Sequence, residues 1–163
     1  MIRCHVALGS NLGNPLATVD EAIEALAALR GSVLRAMSSL YRTAPVGLKR
    51  QPDFINAVVA LDTRLAPREL LDELFKVEAR FGRERSVRNA PRTLDLDLLL
   101  YGELVQSDAG LTLPHPRMHE RAFVLAPLAE IAPGLVVPGQ GAVEELLGRC
   151  RDQRIHALTR SPC

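Results

Sequence analysis

Aromatic side chains are scarce: they make up 4% of the 163 residues, and tryptophan is missing. Net charge is nearly missing too, at +1 from 20 basic and 19 acidic residues. The first scarcity disfavours a surface that stacks single-stranded RNA on paired aromatics. The second disfavours a bulk nucleic-acid coat or a polybasic membrane anchor. No apolar stretch nears the ~20 residues of a membrane-spanning helix. The opening MIRCHVALGS has neither the long apolar region nor the cleavage site of a signal peptide. Cysteine is confined to Cys4, Cys150 and Cys163, odd in number and without CxxC spacing, so neither a disulfide framework nor a zinc site is suggested. A reducing, cytoplasmic location is the expectation. No GxxxxGK[ST] occurs, which excludes a P-loop, and the protein-kinase signature set is absent.

What is present is an ordinary globular balance, 47% hydrophobic and 24% charged, in a length that predicts one domain over residues 1–163. Residues 2–8 read as a strand. GSNLGN is a turn, and Asn14 followed by Pro15 marks a helix start. Leu16, Val19, Ile23 and Leu26 follow at helical spacing, with Gly31 as the expected close. Residues 32–42 read as one strand. FINAVVALDT is another, apolar on both faces and therefore central. Pro67 opens a second helix with Leu70, Leu74, Val77 and Phe81 on one face and Gly82 at its end. A strand over 94–101 and a hairpin around Gly102 follow. The remainder reads as an extended LTLPH, a helix near 118–130, a strand near 135–137 and a helix from 142. This order predicts an α+β, ferredoxin-like split βαβ sandwich, a mainly antiparallel sheet with helices on both faces. Such a fold hosts enzymes, RNA binders and metal carriers alike, so function must come from the site.

The stretch RTLDLDLLLYG raises the functional question. It is apolar from Leu94 to Tyr101 except for Asp95 and Asp97. On a strand the two acids share one face, with Cα atoms roughly 6.5 Å apart, while Leu94, Leu96 and Leu98 face a core. Like charges so placed repel unless a cation or proton lies between them. Oxygen ligands at this spacing suit Mg²⁺, which usually arrives with phosphates; an exposed edge strand with solvated acids is the plainer reading. The preceding RFGRERSVRNAPR holds Arg80, Arg83, Arg85, Arg88 and Arg92 against Glu84. Forked guanidiniums beside a carboxylate-bound metal suggest one polyphosphate held from both sides. A solvated basic loop, or one that binds RNA phosphates, fits the same residues.

Two further places carry ligand chemistry. In QPDFINAVVAL, Phe54 and Asn56 share a strand face, where a flat heterocycle could stack on the ring while the amide reads its edge. Core packing is the simpler role for Phe54. In LPHPRMHERAFVLAPLAEIAP, Pro116 discourages a helix through His115 and no HExxH occurs. His115 and Arg121 therefore read as phosphate or nucleotide contacts rather than metal ligands.

Taken together and in order, ALGSNLGNP, YRTAPVG, QPDFINAVVAL, PRTLDLDLLLYG and LPHPRMHERAFVLAPLAEIAP resemble the 6-hydroxymethyl-7,8-dihydropterin pyrophosphokinases of folate synthesis. The resemblance runs from about residue 4 to 147. It implies an ATP-dependent diphosphokinase that passes diphosphate to the pterin hydroxymethyl group and releases AMP, with ATP as co-substrate and two Mg²⁺ ions as cofactors. It implies Asp95 and Asp97 as metal ligands. The same two acids with Arg83 and Arg92 form the implied catalytic set. Nucleotide contacts carry over to Leu71, Glu78, Arg92, Leu98, Thr112, His115 and Arg121. Pterin contacts carry over to Thr43, Ala44, Pro45, Val46, Phe54, Asn56 and Phe123, with the two rings as a sandwich.

Departures from the family pattern concern loop closure and the adenine contacts. Asn89-Ala90 replaces a Trp-Gly, Pro116 a tyrosine, Gly110 an arginine and Phe75 a glutamine. The loops at 44–53 and 83–91 are expected to order over the ligands and exclude water. The expected partners are small molecules only, with no nucleic acid or membrane, and the expected state is a monomer. Rival readings of the same acids and arginines are an RNA-binding module and a two-metal nuclease or phosphatase, which would need no pterin.

Overall fold

A computed structural model describes residues 1–44, 51–82 and 93–158. β1 (Ile2–Ser10) leads through a turn into α1 (Pro15–Ala27). Asn14 caps α1, accepting the Ala17 N–H on Oδ1 at 3.3 Å, and Pro15 sits where no intrahelical N–H is required. The helix stops at Ala27, short of Gly31. That glycine instead takes a positive φ of 66° in the turn into β2 (Ser32–Met37). β3 (Leu40–Thr43) follows after a break at Ser38 and Ser39, where the sequence suggests one continuous strand. β4 (Phe54–Thr63) and α2 (Pro67–Arg80) have the bounds their patterns imply. Glu69 accepts the Ala66 N–H at 2.9 Å and so closes the first turn of α2.

β5 (Asp95–Tyr101) carries the two acids. The expected hairpin at Gly102 is a simple turn. The hairpin instead joins β6 (Gln106–Asp108) to β7 (Leu111–Leu113) through Gly110, whose φ is 81°. Gly102 also has a positive φ, and its N–H binds the Arg3 carbonyl at 2.7 Å, so the glycine signal is real but the reversal is placed later. The helix expected near 118–130 is a 3₁₀ turn, Met118–Glu120, followed by α3 (Ala122–Ile131). β8 (Val136–Val137) pairs with β9 (Gly141–Ala142), then come α4 (Val143–Gly148) and β10 (Ile155–Leu158).

The main sheet runs β10-β3-β4-β1-β5, with β2 also on β4, and every pair is antiparallel. β1 and β2 are both antiparallel to β4, which lies between them; β4 and β5 likewise flank β1. That is the split βαβ, ferredoxin-like arrangement. α1 and α2 pack Ile23, Leu26, Leu70 and Leu74 on one face, against Leu8, Leu61, Leu94 and Leu96. α3 and α4 pack Leu125, Leu128 and Leu146 on the other, against Val58 and Leu99. Each fully buried leucine contributes roughly 1.5–3 kcal/mol. β4 divides its residues between both cores, which is why it reads as apolar throughout.

Candidate active site

α3 and α4 cover only part of their face of the sheet, and the uncovered part holds the polar residues. On β5, Leu99 lies under the helices, while Asp97 and Asp95, two and four residues earlier on the same face, line open cavities. On β4, Val58 packs under the helices, while buried Asn56 and half-buried Phe54 line the first cavity. The alternation expected of RTLDLDLLLYG holds: Leu94, Leu96 and Leu98 enter the α1–α2 core.

Register brings the polar residues together. Gly9 on β1 pairs with Asn56 on one side and Asp95 on the other. Gly9 therefore forms a bare floor between an amide and a carboxylate. A Cβ added there would approach Asn56 Nδ2 to 3.0 Å and Phe54 to 3.8 Å. Thr43 Oγ1 donates to Asn56 Oδ1 at 2.6 Å, which fixes the orientation of the buried amide. Phe54 and Phe123, both half-buried, line this first cavity with Thr43, Ala44 and the two acids. Phe54 is thus a wall residue rather than core. Arg121, expected among the nucleotide contacts, lies in this same cavity, its guanidinium carbon 5.5 Å from the Phe123 ring centroid.

A second cavity lies on the other side of the acids. Leu71, Glu78, Leu98, Thr112 and His115, all expected nucleotide contacts, line it. So do Phe75, Gly110 and Pro116, three of the positions that depart from the family pattern. Glu78 is 2% exposed and accepts the Leu96 N–H at 2.8 Å, pinning β5 at the residue between the two acids. The Ser10 hydroxyl, fully buried, donates to the Thr93 carbonyl and ties the end of β1 to the approach to β5. His115 is anchored through its N–H to the Leu99 carbonyl at 2.9 Å, and its Nδ1 accepts the Arg117 N–H at 3.2 Å. Burial, and then the nearby Arg121, push the imidazole pKa down to about 4. The ring is therefore neutral near pH 7 and keeps its proton on Nε2, a donor rather than a charge.

Arg83, Arg92, Pro45 and Val46, and most of both expected covering loops, lie outside the described residues. Sequence reasoning missed Gly9 and Arg117. A strand-end glycine read as part of a turn gave no sign of the cavity floor, and Arg117 lay inside a recognised motif without a role.

A family model described as 7,8-dihydro-6-hydroxymethylpterin-pyrophosphokinase (HPPK) matches residues 5–133. The chain belongs to this family. As an HPPK it is a transferase of folate biosynthesis that moves diphosphate from ATP to the hydroxymethyl group of 6-hydroxymethyl-7,8-dihydropterin. Similar proteins named 2-amino-4-hydroxy-6-hydroxymethyldihydropteridine pyrophosphokinase include one from Haemophilus influenzae. It is 43% identical over 97% of this chain and 99% of its own. Another, from Pseudomonas aeruginosa, is 47% identical over 96% of each. Among solved structures, a Plasmodium falciparum HPPK-DHPS with STZ-DHP superposes with a TM-score of 0.72 at 12% identity. It covers 91% of this chain, which spans 45% of that longer one, and the likeness is one of fold. No helix among the described residues is long and apolar enough to cross a membrane.

Proposed function

We propose that the two cavities hold the two substrates of this transfer, with Asp95 and Asp97 between them. One observation carries the reading: among the described residues, only these two acids line both cavities. The first cavity, about 130 Å³, suits the pterin, and the second, about 240 Å³, suits the larger nucleotide. Phe54 and Phe123 form the walls against which the pterin stacks. With Asn56 Oδ1 held by Thr43, the Nδ2 hydrogens are presented to the heterocycle edge. Ala44, and Pro45 and Val46 beyond the described residues, complete that edge.

Leu71 and Leu98 give the nucleotide an apolar bed, and Glu78 steadies the strand beneath it. Thr112 and neutral His115 donate hydrogen bonds to phosphate oxygens, and Arg121 supplies charge from the pterin side. Arg83 and Arg92 add guanidiniums where negative charge spreads in the transition state.

Two carboxylates fit Mg²⁺ as a donor set. Among the described residues no third His, Cys, Asp or Glu joins a cluster, and Mg²⁺ commonly takes few protein ligands, keeping waters and substrate phosphates. Bound there, two Mg²⁺ ions would screen the phosphate charge against an incoming oxygen. In the reaction the hydroxymethyl oxygen bonds to the β-phosphorus, the α–β anhydride bond breaks, AMP leaves with the bonding electrons, and the hydroxyl proton passes to solvent. No described side chain in the first cavity is a strong general base, so the residues act by positioning and electrostatics. We further propose that residues 1–163 act as one domain and a monomer in the cytoplasm, without nucleic-acid or membrane partners.

The test mixes protein, Mg²⁺, ATP and the hydroxymethyl pterin and measures AMP. Pterin-dependent AMP is expected, with Asp95→Asn and Asp97→Asn each lowering turnover by about 10³-fold. Near-normal turnover of either variant at limiting Mg²⁺ would overturn the assignment.

A further inference from the structure

The first cavity contains one cation that neither the motif nor the reaction chemistry above uses. Arg117 lines it with Asp95, Asp97, Arg121 and Phe123, and is not among the residues of the nucleotide cavity. Its backbone is held on both sides. The N–H donates to His115 Nδ1 at 3.2 Å, and the carbonyl accepts the Glu120 N–H at 3.1 Å, while the adjoining Met118 is fully buried in the α3–α4 core. The side chain is exposed, and its guanidinium forms no hydrogen bond or ion pair with another described residue. A fixed turn therefore presents an unengaged fork into the pterin cavity. Its charge also reaches His115 in the neighbouring nucleotide cavity, whose protonation it disfavours.

The chemistry of the transfer says when such a charge is useful. Before transfer the pterin side holds a neutral alcohol; afterwards it holds a diphosphate ester. A guanidinium on that side gains a partner only as the group arrives. It therefore binds the late transition state and the product better than the substrate pterin. Arginine is suited to this because its planar fork can take two phosphate oxygens at once.

We infer that Arg117 is a product-side diphosphate clamp, a specificity-determining residue that distinguishes pterin diphosphate from the unphosphorylated pterin. This rests on the assignment of the first cavity to the pterin. The experiment measures the affinities of 6-hydroxymethylpterin and of its diphosphate, each with Mg²⁺, for the parent, Arg117→Ala, Arg117→Lys and Phe123→Ala.

For Arg117→Ala the diphosphate affinity should fall about tenfold while that of the pterin stays within about twofold. Arg117→Lys should recover part of the loss. Equal changes in both affinities, or none in the diphosphate, would overturn the inference. Phe123→Ala should weaken both ligands. If it weakens neither, the cavity assignment fails. If it weakens both while Arg117→Ala spares the diphosphate, only the clamp fails. Exposure of Arg117 makes misfolding of its variants a poor explanation, and a thermal melt of each checks this.

Discussion

His5 is 4% exposed on β1, and its Nδ1 has no hydrogen-bond partner among the described residues. Burial, and secondarily the nearby Arg3 cation, push its pKa down to about 4, with Asp62 opposing weakly. Above pH 6.5 the ring is neutral in both folded and unfolded chains and adds no pH dependence. As pH falls from 6.5 towards 4, the unfolded chain takes up a proton that the folded chain refuses, and stability drops. Between pH 7 and pH 5 the loss attributable to His5 should be about 2 kcal/mol. Urea denaturation at both values should show His5→Leu losing about that much less than the parent. Identical losses would mean that His5 titrates normally in the fold. Residues differ in how openly sequence declares them. Asp95 and Asp97 announced themselves because acids interrupt an apolar strand. Gly9 and Arg117 did not, because a glycine at a strand end and an arginine beside a proline fit ordinary turns as well as they fit a site.

The break between β2 and β3 shows what an element can hide. Ser38 Oγ accepts the Val58 N–H at 3.0 Å and donates to the Ser39 carbonyl at 2.7 Å, so a side chain replaces a strand partner. Glu130, at the end of α3, accepts from Ser39 N–H at 3.0 Å, Ser39 Oγ at 2.8 Å and Tyr41 OH at 2.7 Å. Periodicity cannot reveal a partner 91 residues away, so 32–42 reads as one strand. Pro15 and Pro67, by contrast, act locally, and their helices begin where the sequence puts them. β10 was illegible because it adds to the edge of β3 with residues no more than half-buried, leaving no apolar pattern. Glu130→Ala should lower stability by about 1–3 kcal/mol in a denaturant titration, since it strands a backbone N–H and a tyrosine hydroxyl. The Tyr41 pKa, raised by burial and by Glu130, should move down in that variant. An unchanged midpoint would show that the junction is held by packing alone.

At the scale of the whole molecule, the site exists because two helices cover less than a full sheet face. The sequence implied that β4 is covered on both sides, and both cores are present. Where the second cover stops was not legible. It depends on how α3 meets β3 and β4, and that fixes which face residues stay polar. The same limit explains Arg121: its motif implies phosphate contact, but only the packing of α3 places it beside Phe123 in the first cavity. The strand register does the rest, setting Asn56, Gly9 and Asp95 in one row across three strands. On the proposed function, the acids between the cavities carry the metal onto the nucleotide phosphates. A crystal of the protein with Mn²⁺ in place of Mg²⁺, a nonhydrolysable ATP analogue and the pterin tests it by anomalous scattering. Peaks about 2.1 Å from carboxylate oxygens of both Asp95 and Asp97 are the predicted result. Peaks seated elsewhere, with both side chains turned from the phosphates, would contradict it.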